Sequence, residues 1–243
     1  MLRKRLAIDI GGTFVDFVLL DEMTGTLKID KEPSLHKSLT DCIFAGIKRL
    51  QVDLPDLDMI IHASTLVINT VLQERGSSVG LITTQGFRDV LELGRGNRPE
   101  VYNLLYKPPK PLVPRYLRFE VPERVNYKGD VILPLDEAAT REVVQKLRAR
   151  AVEGIAVCFL HACANPSHER RVREICRELY PEAHVAISSD ITGEFREFER
   201  TSTVVLNTYV MPRMASYLGE LEARLLNLNF RGALNVMQST GGM

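Results

Sequence analysis

Asp9-Ile10-Gly11-Gly12-Thr13-Phe14-Val15-Asp16 decides how this chain folds. Apolar runs lie on both sides of its glycines, at residues 6–10 and 14–20, and a third follows at 26–29 after a Gly-bearing turn. The glycines therefore join strand to strand, and the simplest reading is three successive, mutually antiparallel strands. Walker A and dinucleotide-binding loops do not fit, because their glycines run into a helix. In a hairpin, the backbone N–H groups of Gly11 and Gly12, with the Thr13 hydroxyl, are free to point at one phosphate. Asp9 ends the first strand, where a carboxylate can hold Mg²⁺ through water, since hard cations prefer oxygen ligands and dehydrate reluctantly. Asp16 is expected to face the same cleft and to orient a nucleophile or a metal-bound water. The plain alternative is an ordinary hairpin in which Gly11 and Gly12 supply positive φ angles and Asp9 is exposed.

Working outward, Ser38 or Thr40 starts an amphipathic helix through Ile43, Phe44, Ile47 and Leu50. A strand at 59–61, a helix at 66–74 closed by Gly76, a strand at 79–82 and a helix through Phe87, Val90 and Leu91 follow. A meander that precedes the crossovers matches the α/β, ribonuclease-H-like βββαβαβα unit on which actin-type ATPases are built. Residues 1–94 are read as that first half, carrying the phosphate loop. Residues 95–135 hold seven prolines and are read as an insertion or connector. Residues 136–243 return to α/β rhythm. A helix runs from Asp136 to Arg150, a strand covers 155–160, a helix is capped by Asn165 with Pro166 first, and a strand lies near 185–188. A long helix from about Glu194 is expected to kink or break at Pro212, with a last strand at 234–237. The sequence stops at a Gly241-Gly242 turn, where a new element is expected to begin, so the second actin-like half is read as missing.

The 243 residues are 45% hydrophobic and 26% charged, with 31 basic against 31 acidic side chains. That balance excludes whole-chain disorder and a polybasic nucleic-acid binder. No apolar run approaches the ~20 residues of a membrane span, and 6–8 is too short an apolar stretch for a signal peptide, so a cytoplasmic protein without a membrane or nucleic-acid partner is expected. Four cysteines in such a chain argue for reduced thiols. His161, Cys163 and His168 suggest a metal cluster, but their neighbours read as a buried strand running into a loop.

Three further stretches carry candidate chemistry. His62-Ala63-Ser64-Thr65, with Asn69 beyond it, falls where a strand meets a helix; one hydroxyl is a natural N-cap, while His62 and Asn69 are ligand candidates. Thr83-Thr84-Gln85-Gly86-Phe87-Arg88-Asp89, followed by Arg95, Asn97 and Arg98, offers cations to clamp a carboxylate or carbonyl oxygen, although an Arg88–Asp89 surface pair is the default. Arg196, Glu199, Arg200, Thr203 and Asn207 share one helix and read mainly as a solvated face.

Together, the 9–16 loop, Thr83-Thr-Gln-Gly-Phe-Arg-Asp-Val-Leu-Glu-Leu-Gly-Arg95, Asn97-Arg-Pro, Asn165-Pro-Ser-His-Glu169 and Glu199-Arg-Thr-Ser-Thr203 resemble the N-terminal part of the hydantoinase A and 5-oxoprolinase family. That family includes ATP-binding subunits of N-methylhydantoinases, caprolactamase and acetone or acetophenone carboxylases. His62-Ala63-Ser64-Thr65 departs from its usual His-Gly-Thr-Thr. The resemblance implies that MgATP phosphorylates a carbonyl oxygen of a small cyclic amide, or of a ketone as its enolate, usually with a second, hydantoinase-B-type subunit or domain. It implies catalytic roles for Asp9, Asp16, His62, Arg88 and Asp89, with Asp9 on the metal. Gly11, Gly12, Thr13, Ser64 and Thr65 would hold ATP, and Arg95, Asn97 and Arg98 would face the substrate. A sugar-kinase-like enzyme and a non-catalytic actin-like module are the rival readings.

Overall fold

In a computed structural model of the protein, residues 4–34, 38–97, 100–238 and 240–242 are described. They form two compact units, one from residues 1–75 and 213–243, the other from 76–212.

The first unit opens with β1 (Lys4–Ile10), β2 (Phe14–Asp21) and β3 (Thr26–Pro33), antiparallel in sequence as the meander reading requires. Then come α1 (Leu39–Arg49), β4 (Leu57–Ser64) and α2 (Leu66–Leu72). β4 pairs parallel to β1. Alternation of period two gives the sheet two unlike faces. Leu6, Ile8, Ile10, Val15, Phe17, Leu19 and Ile60 are buried against α1 residues Cys42, Ile43 and Ile47 and against Tyr217, Leu221 and Leu225. Ala7, Asp9, Asp16, Val18 and Ile61 occupy the other face.

Gly46 of α1 sits over Phe17: a Cβ there would lie 2.3 Å from the ring. Gly46→Ala is expected to destabilise the first unit by about 1–3 kcal/mol through overpacking, outweighing the ~1 kcal/mol that alanine gains in helix propensity. A shift of the urea midpoint measures it.

In the second unit, β5 (Val79–Thr84) is followed by a short α3 (Val90–Leu93), β6 (Arg118–Val121) and the β7 (Arg124–Val125) and β8 (Val131–Leu133) hairpin. Next come α4 (Glu137–Ala149), β9 (Gly154–Cys158), α5 (Ser167–Leu179), β10 (His184–Ile187) and a one-turn α6 (Ser188–Ile191). The strands pair in the order β10-β9-β5-β6, all parallel. Asp136 caps α4 by accepting from Ala139 N, and the Asn165 side chain accepts from Ser167 N.

α7 (Glu197–Asn227) belongs to the second unit up to Pro212 and to the first from Arg213; β11 (Ala233–Val236) closes the chain. The first sheet reads β11-β4-β1-β2-β3.

Three sequence expectations change here. The strand at 79–82 does not join the first sheet: β5 is buried at all six positions, the pattern of a parallel strand covered on both faces, and it sits inside the second sheet. The fifth place beside β4 goes to β11, from the other end of the sequence. The boundary between the units therefore lies at 75/76 rather than 94/95, and the proline-rich 95–135 stretch is part of the second unit, contributing β6 to its sheet. Of the kink or break expected at Pro212, the break does not occur: α7 runs through the proline as one helix. Among the described residues no helix is long and apolar enough to cross a membrane, and Cys158 and Cys176 are buried thiols.

Candidate functional site

The β1–β2 turn is closed by Gly11 N donating to Phe14 O, at 2.9 Å. Neither Gly11 nor Gly12 has a positive φ, so the hairpin does not need glycine for its backbone conformation. A Cβ on Gly11 would approach Phe14 O at 3.3 Å, and one on Gly12 would meet Asn69 Nδ2 at an ordinary 3.7 Å. Gly12 is exposed and bare without a packing reason, a surface on which another group can approach the main chain closely.

The turn is anchored from the β4–α2 junction. Thr65 donates to Ile10 O through both its backbone N (2.9 Å) and its Oγ1 (3.0 Å), and Asn69 Nδ2 donates to Thr65 Oγ1 at 3.1 Å. Ser64 Oγ accepts from Leu66 N at 3.0 Å, a local turn that leads the chain into α2. Ser64 and Thr65 thus spend their hydroxyls on shaping the junction, whereas Thr13 is exposed.

Asp9 and Asp16 are register partners across β1 and β2, so their side chains share the open face, with Cβ atoms about 4.5–5.5 Å apart. Two carboxylates placed so repel each other. Lys31, opposite Asp16 on β3, answers with Nζ 3.0 Å from Asp16 Oδ1. Asp9 is exposed and has no such cation among the described residues. A hollow of about 220 Å³ lies beside the pair, floored by Ala7, Val18, Ile61 and Ala63.

His62 is elsewhere. It is fully buried on the core side of β4, with Nε2 2.9 Å from the Tyr217 hydroxyl. Strand alternation separates it from the two carboxylates: His62 is register partner of Ile8, so it shares the buried face, while Asp9 pairs with Ala63 on the open one. Burial holds its imidazole below the ordinary 6.5. The unfolded chain then takes up the proton more readily than the folded one. Stability is full above about pH 6.5 and falls as the pH drops through that value toward the lower native one, by at most ~1.4 kcal/mol per pH unit. His62→Gln is expected to flatten that slope in urea titrations between about pH 7.5 and 5.

The second unit holds the other candidate residues. Asp89 is clamped by Arg115, whose Nε and Nη2 lie 2.9 and 3.0 Å from its two oxygens, and this fork holds the carboxyl below its usual range. The Arg88–Asp89 pair expected as the default is replaced: Arg88 Nη2 donates to Arg115 O, while the Gly86 and Arg88 amides both donate to Glu120 Oε1. Arg118, buried and absent from the sequence reading, donates to Val113 O and Glu92. Its signal is weak because a strand arginine gives no clue that its guanidinium turns inward. Arg95 Nε donates to Glu199 Oε1 at 2.6 Å, so two stretches that were separate in the sequence meet. Asn97 lines a cavity with Arg95; Arg98 lies outside the described residues.

The connection from β5 leads to β6 on one side and that from β9 to β10 on the other, so the crevice of this parallel sheet lies between the carboxyl ends of β5 and β9. Side chains fill it. Thr83 Oγ1 donates to Cys158 O, and Thr84 Oγ1 donates to buried Glu123 while accepting from Leu160 N. Glu123 also bonds His168 Nδ1 at 2.8 Å, which occupies the histidine suspected of metal binding. Among the described residues no group of three or more His, Cys, Asp or Glu could hold a metal ion. Glu169 accepts from Phe159 N, Ser188 Oγ and Ser189 N. Arg200, read as part of a solvated face, is buried and donates to Phe159 O. Arg196, Thr203 and Asn207 are exposed.

The described residues thus place the glycine turn, Asp9 and Asp16 together in one unit, and Arg88, Asp89, Arg95 and Asn97 in the other. Comparison with known proteins gives the arrangement a family. The caprolactamase alpha subunit of Pseudomonas jessenii is 33% identical over 98% of this chain, and the acetophenone carboxylase gamma subunit of Aromatoleum aromaticum is 34% identical over 97%. The crystal structure of the ATP-dependent caprolactamase from P. jessenii superposes with a TM-score of 0.87 at 33% identity, covering 98% of this chain and 36% of that one. The chain spans 35–36% of the length of these two curated relatives. The actin-like α/β fold expected from the strand order is the fold of these subunits. With residues 5–180 matching the hydantoinase/oxoprolinase N-terminal region and 200–243 the hydantoinase/oxoprolinase model, the chain belongs to the hydantoinase/oxoprolinase family.

Proposed function

We propose that this chain is the N-terminal, nucleotide-binding part of an ATP-dependent enzyme that activates the carbonyl of a cyclic amide for hydrolysis. The observation that carries the reading is the β1–β2 turn: a glycine at position 12 that the fold does not require, beside an exposed carboxylate with no cation among the described residues. Backbone amides of Gly11 and Gly12 and the Thr13 hydroxyl would receive a phosphate, with Thr65 and Asn69 holding the turn in place. Asp9 would hold Mg²⁺ together with water and phosphate oxygens, which suits a hard cation that keeps most of its hydration. When bound, MgATP supplies a phosphoryl group that turns a poor leaving oxygen into a good one. Asp16, its charge balanced by Lys31, is left to orient a water or the attacking oxygen. Arg88, Asp89, Arg95 and Asn97 would serve the substrate side, and a hydantoinase-B-type partner would complete the reaction, a reading supported by relatives that are themselves named as subunits.

A second reading, the nucleotide-binding subunit of a ketone carboxylase, is favoured by the equal likeness to the acetophenone carboxylase subunit. The test of the nucleotide site is calorimetric titration with MgATP. Gly12→Ala meets only an ordinary contact in the fold, so it is expected to leave the melting temperature unchanged and to weaken MgATP binding by roughly tenfold or more. Unchanged affinity would remove the phosphate from this turn.

A further inference from the structure

A cavity of about 470 Å³ lies wholly within the second unit, walled by residues 91–97, by residues 108–112 and by α7. Its size is that of a small-molecule site. The walls are mostly apolar, with Leu91, Pro108, Pro111, Leu112, Phe198 and Val205 supplying the surface.

The charges around it are unevenly answered. Glu92, the one carboxylate among the lining residues, accepts from Arg118 Nη2 at 2.9 Å. Arg95 gives its Nε to Glu199, which fixes the plane of the guanidinium and leaves Nη1 and Nη2 without a partner among the described residues. The Lys110 ammonium has none there either. Both uncompensated charges are positive, one a planar fork suited to a carboxylate or sulfonate and the other a mobile point charge.

We propose that this cavity binds a small organic anion, its apolar body against the proline and Phe198 walls and its anionic group on Arg95 and Lys110. This deepens the proposed function and rests on its placing of Arg95 and Asn97 on the substrate side, while its test requires neither ATP nor the residues of the β1–β2 turn.

The test uses the full chain and two dyes that differ in one group, anilinonaphthalene sulfonate and its uncharged analogue N-phenylnaphthylamine, followed by fluorescence. The sulfonate dye is expected to saturate a site that 4-phenylbutyrate empties and 4-phenylbutanol does not. The double variant Arg95→Gln/Lys110→Gln, both changes on exposed side chains, is expected to weaken the sulfonate dye about tenfold or more while leaving the uncharged dye unaffected. Ser202→Phe, which narrows the cavity, is expected to weaken both dyes. Equal affinity of the sulfonate dye for wild type and double variant, or displacement by the alcohol as readily as by the acid, overturns the proposal. Thermal melts of each variant, expected to match wild type, separate loss of the site from loss of the fold.

Discussion

Asp9→Ala is expected to lower ATP-dependent turnover of the assembled enzyme by on the order of 10²–10³-fold or more, while the melting temperature stays within about a degree of wild type. The second half of that expectation follows from geometry. Asp9 is exposed, makes no ion pair among the described residues, and faces Asp16 across the strand pair. Removing one of two facing carboxylates relieves repulsion rather than breaking a bond. The first half follows from charge: with Asp16 answered by Lys31 at 3.0 Å, Asp9 is the carboxylate left to attract a cation. Steady-state turnover with ATP and substrate, beside a calorimetric melt, reads both halves. Retained turnover would move the metal away from this strand end, and a large fall in melting temperature would make Asp9 structural.

Glu169→Ala is expected to have the largest effect on stability. The side chain is fully buried and accepts three hydrogen bonds, from Phe159 N at 2.9 Å, Ser188 Oγ at 2.6 Å and Ser189 N at 2.9 Å. These tie the ends of β9 and β10 to α5. Alanine leaves Phe159 N and Ser188 Oγ buried and Ser189 N half-buried without this acceptor, at a cost of about 3–5 kcal/mol to the second unit. The melting temperature of that unit should fall by on the order of 10 °C. Glu169→Gln, which keeps an acceptor oxygen, should recover part of the loss. A variant as stable as wild type would mean that water or a neighbour replaces the carboxylate.

Both predictions depend on placement that the sequence reveals unequally. The Asp9–Asp16 face is legible because a two-residue period across a short hairpin fixes which side chains lie together. Thr65 and Asn69 are legible as a strand–helix junction, but the bond from Thr65 to Ile10 O is not, since it joins residues 55 apart. His62 misleads for the same reason that Asp9 does not. Its neighbours Ala63 and Ser64 carry no strong apolar signal, so the alternation along β4 does not reveal which side faces the core.

By itself the sequence determined the order and type of most elements outside residues 95–135, the hairpin at Gly11-Gly12, the turn at Asn165 ahead of α5 and the family words, because each rests on local periodicity or turn chemistry within a few residues. Only the tertiary structure decided that β5 leaves the first sheet and β11 enters it, that His62 faces Tyr217, that Arg118 and Arg200 turn inward, and that Asp89 pairs with Arg115. Strand partnership and side-chain burial are set by which distant surfaces exclude water together, and that competition is settled between segments far apart in sequence, as in the pairing of Met59 with Ala233.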